Sequence, residues 1–275
     1  MPRPPSAWPR ISLLVPGFGG DPERARVIKS NLIRLGSMPI AMTCTIFVYK
    51  AVRDLSEKRL DQLLRPEADN CTFPRQLGFW THHVRAHKVE ARDDFVLLLM
   101  DSVEMNSDVD ITQLVATART SCLSVASPAC PSCKLKVLIR PNLAYVTNST
   151  CGRLVEFVDA QLTLISLAAF ACWQRLIHLI GLETDPYGWA SWKVLPSYCA
   201  HMQNTPFLTG IVDTMTVEKR VSSAPYAWNA GGKATYDWAN ASRGAAAAPS
   251  PKKLPSRGPH LNFFSRFGRF QNFVL

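Results

Sequence analysis

Short apolar runs alternate along the chain with segments in which apolar residues recur at helical spacing. Ile11–Val15 and Thr43–Tyr49 are rich in aliphatic, β-branched and aromatic residues, a composition typical of buried strands. Between them, apolar side chains recur every three or four residues, which predicts a helix over residues 22–36 with Asp21 as its N-cap. A strand, a glycine-rich turn, a helix and a second strand form a βαβ unit, which indicates an α/β protein.

A third apolar run lies within Asp94–Glu104, between an acidic start and a second acidic group. Because the run is apolar on both faces, we predict a buried parallel strand over residues 94–101. Open α/β sheets bind ligands just beyond the carboxyl ends of their strands. Asp101 and Glu104 are therefore the first candidates for chemistry.

The same alternation of helical and strand patterns continues over the rest of the chain. Helices are predicted over residues 52–66, 79–88, 111–120, 167–180 and 189–201. Strands are predicted over residues 123–129, 135–139, 154–165 and 210–217. This order predicts an α/β fold with a mostly parallel, mixed central sheet and helices on both faces. We expect a single domain over residues 11–242, after a Pro-rich lead-in over residues 1–10.

Composition fits a globular protein with a basic tail. Of the 275 residues, 47% are hydrophobic and 19% are charged, which excludes a wholly disordered chain. The net charge is +10, and residues 243–275 supply six Lys or Arg and no Asp or Glu, hence +6. We predict that this tail is largely disordered, and either solvated or in contact with an anionic surface, membrane or nucleic acid. The apolar run 160–173 is too short for a transmembrane span, which needs about 20 residues.

Cysteine and histidine spacing gives no clear metal site. The eight cysteines are too sparse for a disulfide scaffold. Cys130-Pro-Ser-Cys133 has the spacing of a redox or zinc motif, but no second ligand pair follows, so we expect loop cysteines without metal. His82 and His83 are adjacent and project to different faces of a predicted helix, so we expect surface or core positions for them.

The compartment stays open. No segment has the pattern of a signal peptide, and three N-glycosylation sequons matter only if the chain enters the secretory pathway: Asn70-Cys-Thr72, Asn148-Ser-Thr150 and Asn240-Ala-Ser242. We expect a Golgi-type location if an N-terminal anchor is missing from this sequence, and a cytoplasmic one otherwise.

The turn after the first strand, Pro16-Gly17-Phe18-Gly19, lies where α/β proteins bind phosphate groups. It matches neither the G-x-G-x-x-G pattern nor the P-loop, which requires Gly-Lys followed by Ser or Thr. A phosphate-binding turn and a tight connection between strand and helix both remain open.

Several segments, taken in order, resemble the plant and algal family known as domain of unknown function 707. They are Leu13–Gly17, Asp94–Asp110, Ala126–Ala129, Phe157–Gln161, Tyr187–Trp189, Gly210–Asp213 and Tyr236–Trp238. That family is similar to nucleotide-sugar glycosyltransferases of the GT-A fold. The resemblance implies a GT-A-like fold, a nucleotide-diphosphate sugar as ligand, and transfer of the sugar to a hydroxyl of a glycan or protein acceptor.

The resemblance also implies roles for particular residues. Asp101 and Glu104 would bind Mn²⁺ or Mg²⁺, which bridges the two phosphates of the sugar nucleotide. Substrate-binding positions would be Pro16, Gly17, Phe18, Gly19, Asp159, Gly188, Trp189 and Asp213. Asp159 and Asp213 also suit structural roles at a strand or turn, and Trp189 also suits a core position.

The chain departs from the family at three positions. An acidic triplet is reduced to Met100-Asp101-Ser102, an expected acidic base is replaced by Trp192, and a late histidine is replaced by Lys219. In one account Asp101, Glu104 and Lys219 are catalytic, with Asp101 and Glu104 as a shifted metal pair or with Lys219 facing the diphosphate without metal. In the other, the chain is a catalytically inactive sugar-nucleotide or glycan-binding module.

Overall fold

The computed structural model describes residues 8–49, 55–76, 78, 80–132, 152–155, 158, 160–180 and 189–221. Residues 1–7 of the predicted lead-in, the strand predicted at 135–139, the domain boundary at 242 and the basic tail lie outside these residues. Among the described residues, no helix is long and apolar enough to cross a membrane.

Strands and helices alternate through most of the described chain. The strands are β1 (Arg10–Phe18), β2 (Ala41–Tyr49), β3 (Cys71–Thr72), β4 (Arg75–Gln76), β5 (Phe95–Leu99), β6 (Val103–Met105), β7 (Leu123–Ala129), β8 (Arg153–Leu154), β9 (Leu162–Ser166) and β10 (Leu208–Lys219). The helices are α1 (Pro22–Gly36), α2 (Glu57–Leu64), α3 (Trp80–Ala86), α4 (Ile111–Thr120), α5 (Leu167–Ile180) and α6 (Trp189–Gln203).

The strands form one mixed sheet in the order β3-β2-β1-β5-β9-β7-β10-β6, with β4 beside β2 and β8 beside β10. Pairing is parallel from β3 through β2 and β1 to β5, and again between β7 and β10. β9 runs antiparallel between β5 and β7, and β6 and β8 run antiparallel to β10. The mixed α/β sheet agrees with the sequence prediction.

Helices cover both faces of the sheet because successive strand side chains point in opposite directions. On one face, Leu13 and Leu97 belong to a core cluster with apolar residues of α1, α2 and α4. On the other face, Phe47 of β2 stacks on His83 of α3, and His87 contacts Phe170 of α5. In the described residues, helices therefore lie on both faces of the sheet, as the sequence predicted.

Three segments differ from the sequence prediction. β1 continues to Phe18, where it pairs with Val48 after a register shift, so three of the four residues of the predicted glycine turn belong to the strand. Val103–Met105 is a strand, although its local pattern resembles an acidic strand end. The strand predicted over residues 154–165 is two strands, β8 and β9, because β8 pairs with β10 while β9 lies between β5 and β7. In the predicted cap of α4, Asp110 accepts hydrogen bonds from Thr112 and Gln113, whereas Asp108 accepts from Thr216.

Low cysteine density gave no indication of disulfides, yet two join neighbouring elements. Cys44 of β2 is bonded to Cys71 of β3, and Cys172 of α5 is bonded to Cys199 of α6. Cys130 is also disulfide-bonded rather than a free loop thiol, and the second cysteine of its motif, Cys133, lies outside the described residues. Disulfide bonds therefore cross-link the fold at more than one place.

Candidate functional site

The strand order of the sheet reverses between β1 and β5, which forms a topological switch point. The chain leaves β1 through α1 and enters β2 on one side, whereas β5 lies on the other side of β1. Both strands are parallel, so the turn after β1 and residues 100–102 after β5 lie at the same edge. Ligands of open α/β sheets bind at such a switch point, so the sequence-predicted turn and Asp101 come together where a ligand is expected.

The end of β1 and the turn that follows it are built by close packing, and the predicted turn residues Pro16, Gly17 and Phe18 lie within β1. Gly17 lies against the ring of Tyr49, and a Cβ at this position would overlap that ring. The Pro16 carbonyl accepts a hydrogen bond from Nδ1 of the buried His83. Gly20 has φ of 84°, a left-handed conformation that favours glycine, and Asp21 then caps α1 by accepting from the Arg24 N–H at 2.9 Å.

Replacing Gly17 with alanine is expected to lower the free energy of unfolding by about 1–3 kcal/mol. The new methyl group would displace the Tyr49 ring, which packs 5.2 Å from the His83 ring and has little room to move. Urea denaturation measures the change. Gly36→Ala is the matched control, because a Cβ there meets nothing within 4 Å; equal losses in both variants would contradict the packing argument.

Asp101 forms a buried ion pair with Arg24 of α1. The Asp101 residue is 5% exposed and Arg24 is 8% exposed. An arginine that follows the glycine turn thus places its guanidinium on the carboxylate that the sequence assigns to a metal. Arg24 was not among the sequence-predicted site residues, because its partner is 77 residues away and no local pattern marks this arginine.

Glu104 of β6 is held by a different set of cations. Its Oε2 accepts from Arg220 Nε at 2.7 Å, and its Oε1 lies 3.9 Å from Arg26 Nη1. Burial alone would raise the pKa of Glu104, but hydrogen bonds from Ser30 and Arg220 and the charges of Arg220 and Arg26 outweigh burial and lower the pKa. Glu104 therefore stays ionised.

These contacts do not fit a divalent metal held by Asp101 and Glu104. Each carboxylate already has an arginine partner, and the two partners come from different elements. Within the residues that the structure describes, no group of three or more His, Cys, Asp or Glu could hold a metal ion. Cationic side chains occupy the place where the sequence analysis expected the metal.

The end of β10 closes the same edge. Lys219 is in register with Val103, and the Arg220 N–H donates to the Ser102 carbonyl at 2.9 Å. Arg220 also binds Glu218 at 2.9 Å. The sequence-predicted Lys219 therefore lies on the strand next to the Asp101–Glu104 segment.

We call the resulting set the switch-point charge cluster. Ion pairs join three arginines and three carboxylates, Arg24, Arg26 and Arg220 with Asp101, Glu104 and Glu218. Lys219, which is in register with Val103 on the adjoining strand, adds a fourth cation to the segment, hence a net charge of +1. Asn31 of α1 holds the backbone on both sides of Glu104. The Asn31 side-chain amide donates to the Val103 carbonyl at 2.7 Å and accepts from the Met105 N–H at 2.9 Å.

Asp213 is a fully buried carboxylate near the end of β7. It lies where the β10–β7 register shifts between Val212 and Thr216. Neither carboxylate oxygen has a hydrogen bond, and Asp213 forms an ion pair with Arg153 of β8, whose Nη2 lies 3.4 Å from Oδ1. Asp213 thus combines a charge with an incomplete set of partners, as buried residues at functional sites often do.

Other sequence-predicted positions divide between the core and the part of the chain outside the described residues. Trp192 is 4% exposed, contacts Trp173 and donates to the Val158 carbonyl. Phe18 is fully buried. Trp189 begins α6, but its side chain, Asp159 and Gly188 are not among the described residues.

Two buried histidines lie beneath the glycine turn. Nε2 of His87 is 2.9 Å from Ser12 Oγ, and Thr43 Oγ1 donates to the same hydroxyl at 3.4 Å. Burial lowers the pKa of His87 to about 4. Burial also lowers the pKa of His83, although hydrogen bonds to the Pro16 and Gln76 carbonyls oppose the shift. Both rings are therefore neutral near pH 7 and suit structural roles, as the sequence analysis expected for a core histidine.

Comparison with known proteins identifies the fold. No family model and no curated protein sequence matches the chain. Among 110 matching chains of solved structures is the mannosyltransferase PcManGT from Pyrobaculum calidifontis, in complex with GDP-Man and Mn²⁺. The two share 14% identity with a TM-score of 0.51, covering 97% of this chain and 81% of that one. At this identity the likeness shows the fold alone: the chain has a glycosyltransferase-like fold.

Proposed function

We propose that the chain is a GT-A-type, glycosyltransferase-like protein of the domain of unknown function 707 group that binds a nucleotide-diphosphate sugar. The observation that carries the proposal is the switch-point charge cluster, in a fold shared with a protein solved with GDP-Man. A diphosphate needs positive charge and a close backbone approach. The cluster offers the charge, and residues 16–19, at the end of β1, offer backbone at the same sheet edge.

Charge on the leaving diphosphate is neutralised by side chains in this proposal. Sugar transfer forms a bond from the acceptor hydroxyl oxygen to the anomeric carbon, while the bond from that carbon to the diphosphate oxygen breaks and the hydroxyl proton passes to the leaving diphosphate. The negative charge that develops on the diphosphate is stabilised by Lys219 and Arg220, as fixed cations do in other transfer reactions. Asp101 acts through Arg24, whose guanidinium it orients beside the turn.

A binding module without transfer is the second candidate. Trp192 favours it, because the position assigned to an acidic base in relatives holds a core tryptophan whose N–H is engaged by the Val158 carbonyl. In this candidate Asp213 binds a sugar hydroxyl, a role that rests on the resemblance. Acceptor and donor sugar follow from transfer assays rather than from the fold.

Isothermal titration with GDP, UDP and their sugars, in EDTA and in Mn²⁺, tests the binding proposal. We expect binding in EDTA, little change with Mn²⁺, and a roughly tenfold loss in Lys219→Ala, equivalent to about 1.4 kcal/mol. Lys88→Ala, at an exposed position after α3, is the control and should bind normally.

Three other outcomes would change the proposed function. Binding that requires Mn²⁺ and disappears in Asp101→Asn would restore the metal pair of Asp101 and Glu104. Binding to neither nucleotide would refute the proposal. Binding without release of nucleoside diphosphate, across a panel of glycan and protein acceptors, would favour the inactive module.

A further inference from the structure

We propose that Asn70 is an N-glycosylation site and that the chain folds in the oxidising lumen of the secretory pathway. Asn70 opens the sequon Asn70-Cys71-Thr72, directly between α2 and β3. The inference is independent of the sugar-nucleotide proposal. It joins two features that the switch-point charge cluster does not use, a surface sequon and a set of disulfides.

The sequon begins in an accessible turn at Asn70 and continues into the edge strand β3. Asn70 is exposed, and its side chain makes no hydrogen bond within the described part of the chain. Thr72 is exposed as well. β3 is the outermost strand of the sheet on this side, so a glycan on Asn70 would extend into solvent without displacing a neighbouring strand. N-glycans occur on surface segments of this kind.

The disulfides indicate the compartment independently. Cys44 and Cys71 are register partners on adjacent strands, and Cys172 and Cys199 join two packed helices. Cys44, Cys172 and Cys199 are at most 5% exposed, so these bonds are shielded within the fold. Structural disulfides form and persist in oxidising compartments and are rare in the cytosol. The same lumen holds the enzymes that glycosylate Asn-X-Thr.

Disulfide formation and glycosylation each need a co-reactant that this lumen supplies. Each cysteine pair forms one S–S bond and passes two protons and two electrons to a protein disulfide oxidant, which is reduced to a dithiol. The Asn70 amide nitrogen attacks the anomeric carbon of a lipid-linked oligosaccharide diphosphate. A carbon–nitrogen bond forms, the bond from that carbon to the diphosphate oxygen breaks, and the amide loses a proton as the lipid diphosphate leaves.

The test uses the natural protein, captured through a C-terminal tag from eukaryotic cells that make it. Peptide N-glycosidase converts a glycosylated Asn to Asp, which mass spectrometry locates by residue. Thiol labelling before and after reduction reports Cys44, Cys71, Cys172 and Cys199. We expect conversion at Asn70 and labelling of these four cysteines after reduction only.

Matched variants separate the sequon from general folding. Asn70→Gln and Thr72→Ala should abolish conversion at residue 70, whereas Thr72→Ser keeps the acceptor hydroxyl and should retain it. An unmodified Asn70 in protein whose four cysteines are blocked would overturn the glycosylation site. Full labelling of the four cysteines without reduction would overturn the compartment. Neither outcome depends on whether the chain binds a sugar nucleotide.

Discussion

Replacing Arg24 with alanine is expected to lower the free energy of unfolding by about 3–5 kcal/mol. The substitution removes the guanidinium partner of Asp101, a residue that is 5% exposed, and leaves its carboxylate in the protein interior. Removal of one partner from a buried ion pair typically has an effect of this size, because the remaining charge has lost water and gained nothing in return. Urea denaturation at pH 7 measures the loss.

A double variant separates stability from function at the same position. Arg24→Met combined with Asp101→Leu removes both charges, so we expect stability near that of the parent, as apolar replacements of buried ion pairs often give. If the Arg24–Asp101 pair helps to form the site, the double variant should bind nucleotide more weakly than the parent protein, although its stability is near that of the parent. Arg59→Ala, at an exposed position on α2, should cost less than about 0.5 kcal/mol. A similarly small effect of Arg24→Ala would show that Asp101 is not dependent on Arg24 and would reopen a metal role for it.

Acid is expected to destabilise the protein through His87 by about 3 kcal/mol between pH 7 and pH 4. The pKa of His87 is about 4 in the folded protein, against 6.5 for an ordinary histidine. Between these two values the unfolded chain binds more protons than the folded one, so the free energy of unfolding rises with pH. The contribution of His87 is therefore complete above about pH 6.5 and is lost as the pH falls towards 4, since each pKa unit is worth about 1.4 kcal/mol.

Comparison with His87→Phe isolates this effect from the titration of carboxyl groups. The variant lacks the buried imidazole, so its stability should fall less steeply from pH 7 to pH 4, whatever its stability at pH 7. His178→Gln, at an exposed position on α5, should keep the parent slope. Parallel curves for the parent and His87→Phe would contradict a depressed histidine pKa.

Local patterns were sufficient for the elements that bury a continuous apolar face. The predicted helix over 22–36 matches α1, and the predicted strand over 123–129 matches β7, because each carries its own periodicity and end signals. The location of Asp101 at a strand end also followed from the sequence, since an apolar run followed by acid is a local feature. Its position beside the turn after β1 follows from parallel pairing of β1 and β5.

Features that depend on a distant partner could not be predicted. β6 has three residues and becomes a strand because β10 pairs with it. The Arg24–Asp101 pair joins residues 77 apart, and no local pattern selects one arginine among many. The same holds for disulfide pairing, because cysteine spacing leaves many connectivities open. The sequence therefore located the candidate site but assigned Asp101 to a metal, whereas the structure pairs it with an arginine.

Asn31 has a further consequence for the outer rim of the sheet. β6 is the last strand on its side, so the Val103 carbonyl and the Met105 N–H would otherwise be open to a strand from another molecule. The Asn31 side chain presents one donor and one acceptor to them, as a neighbouring backbone would. A single amide on a helix thus imitates one rung of a β-ladder and protects this edge against self-association.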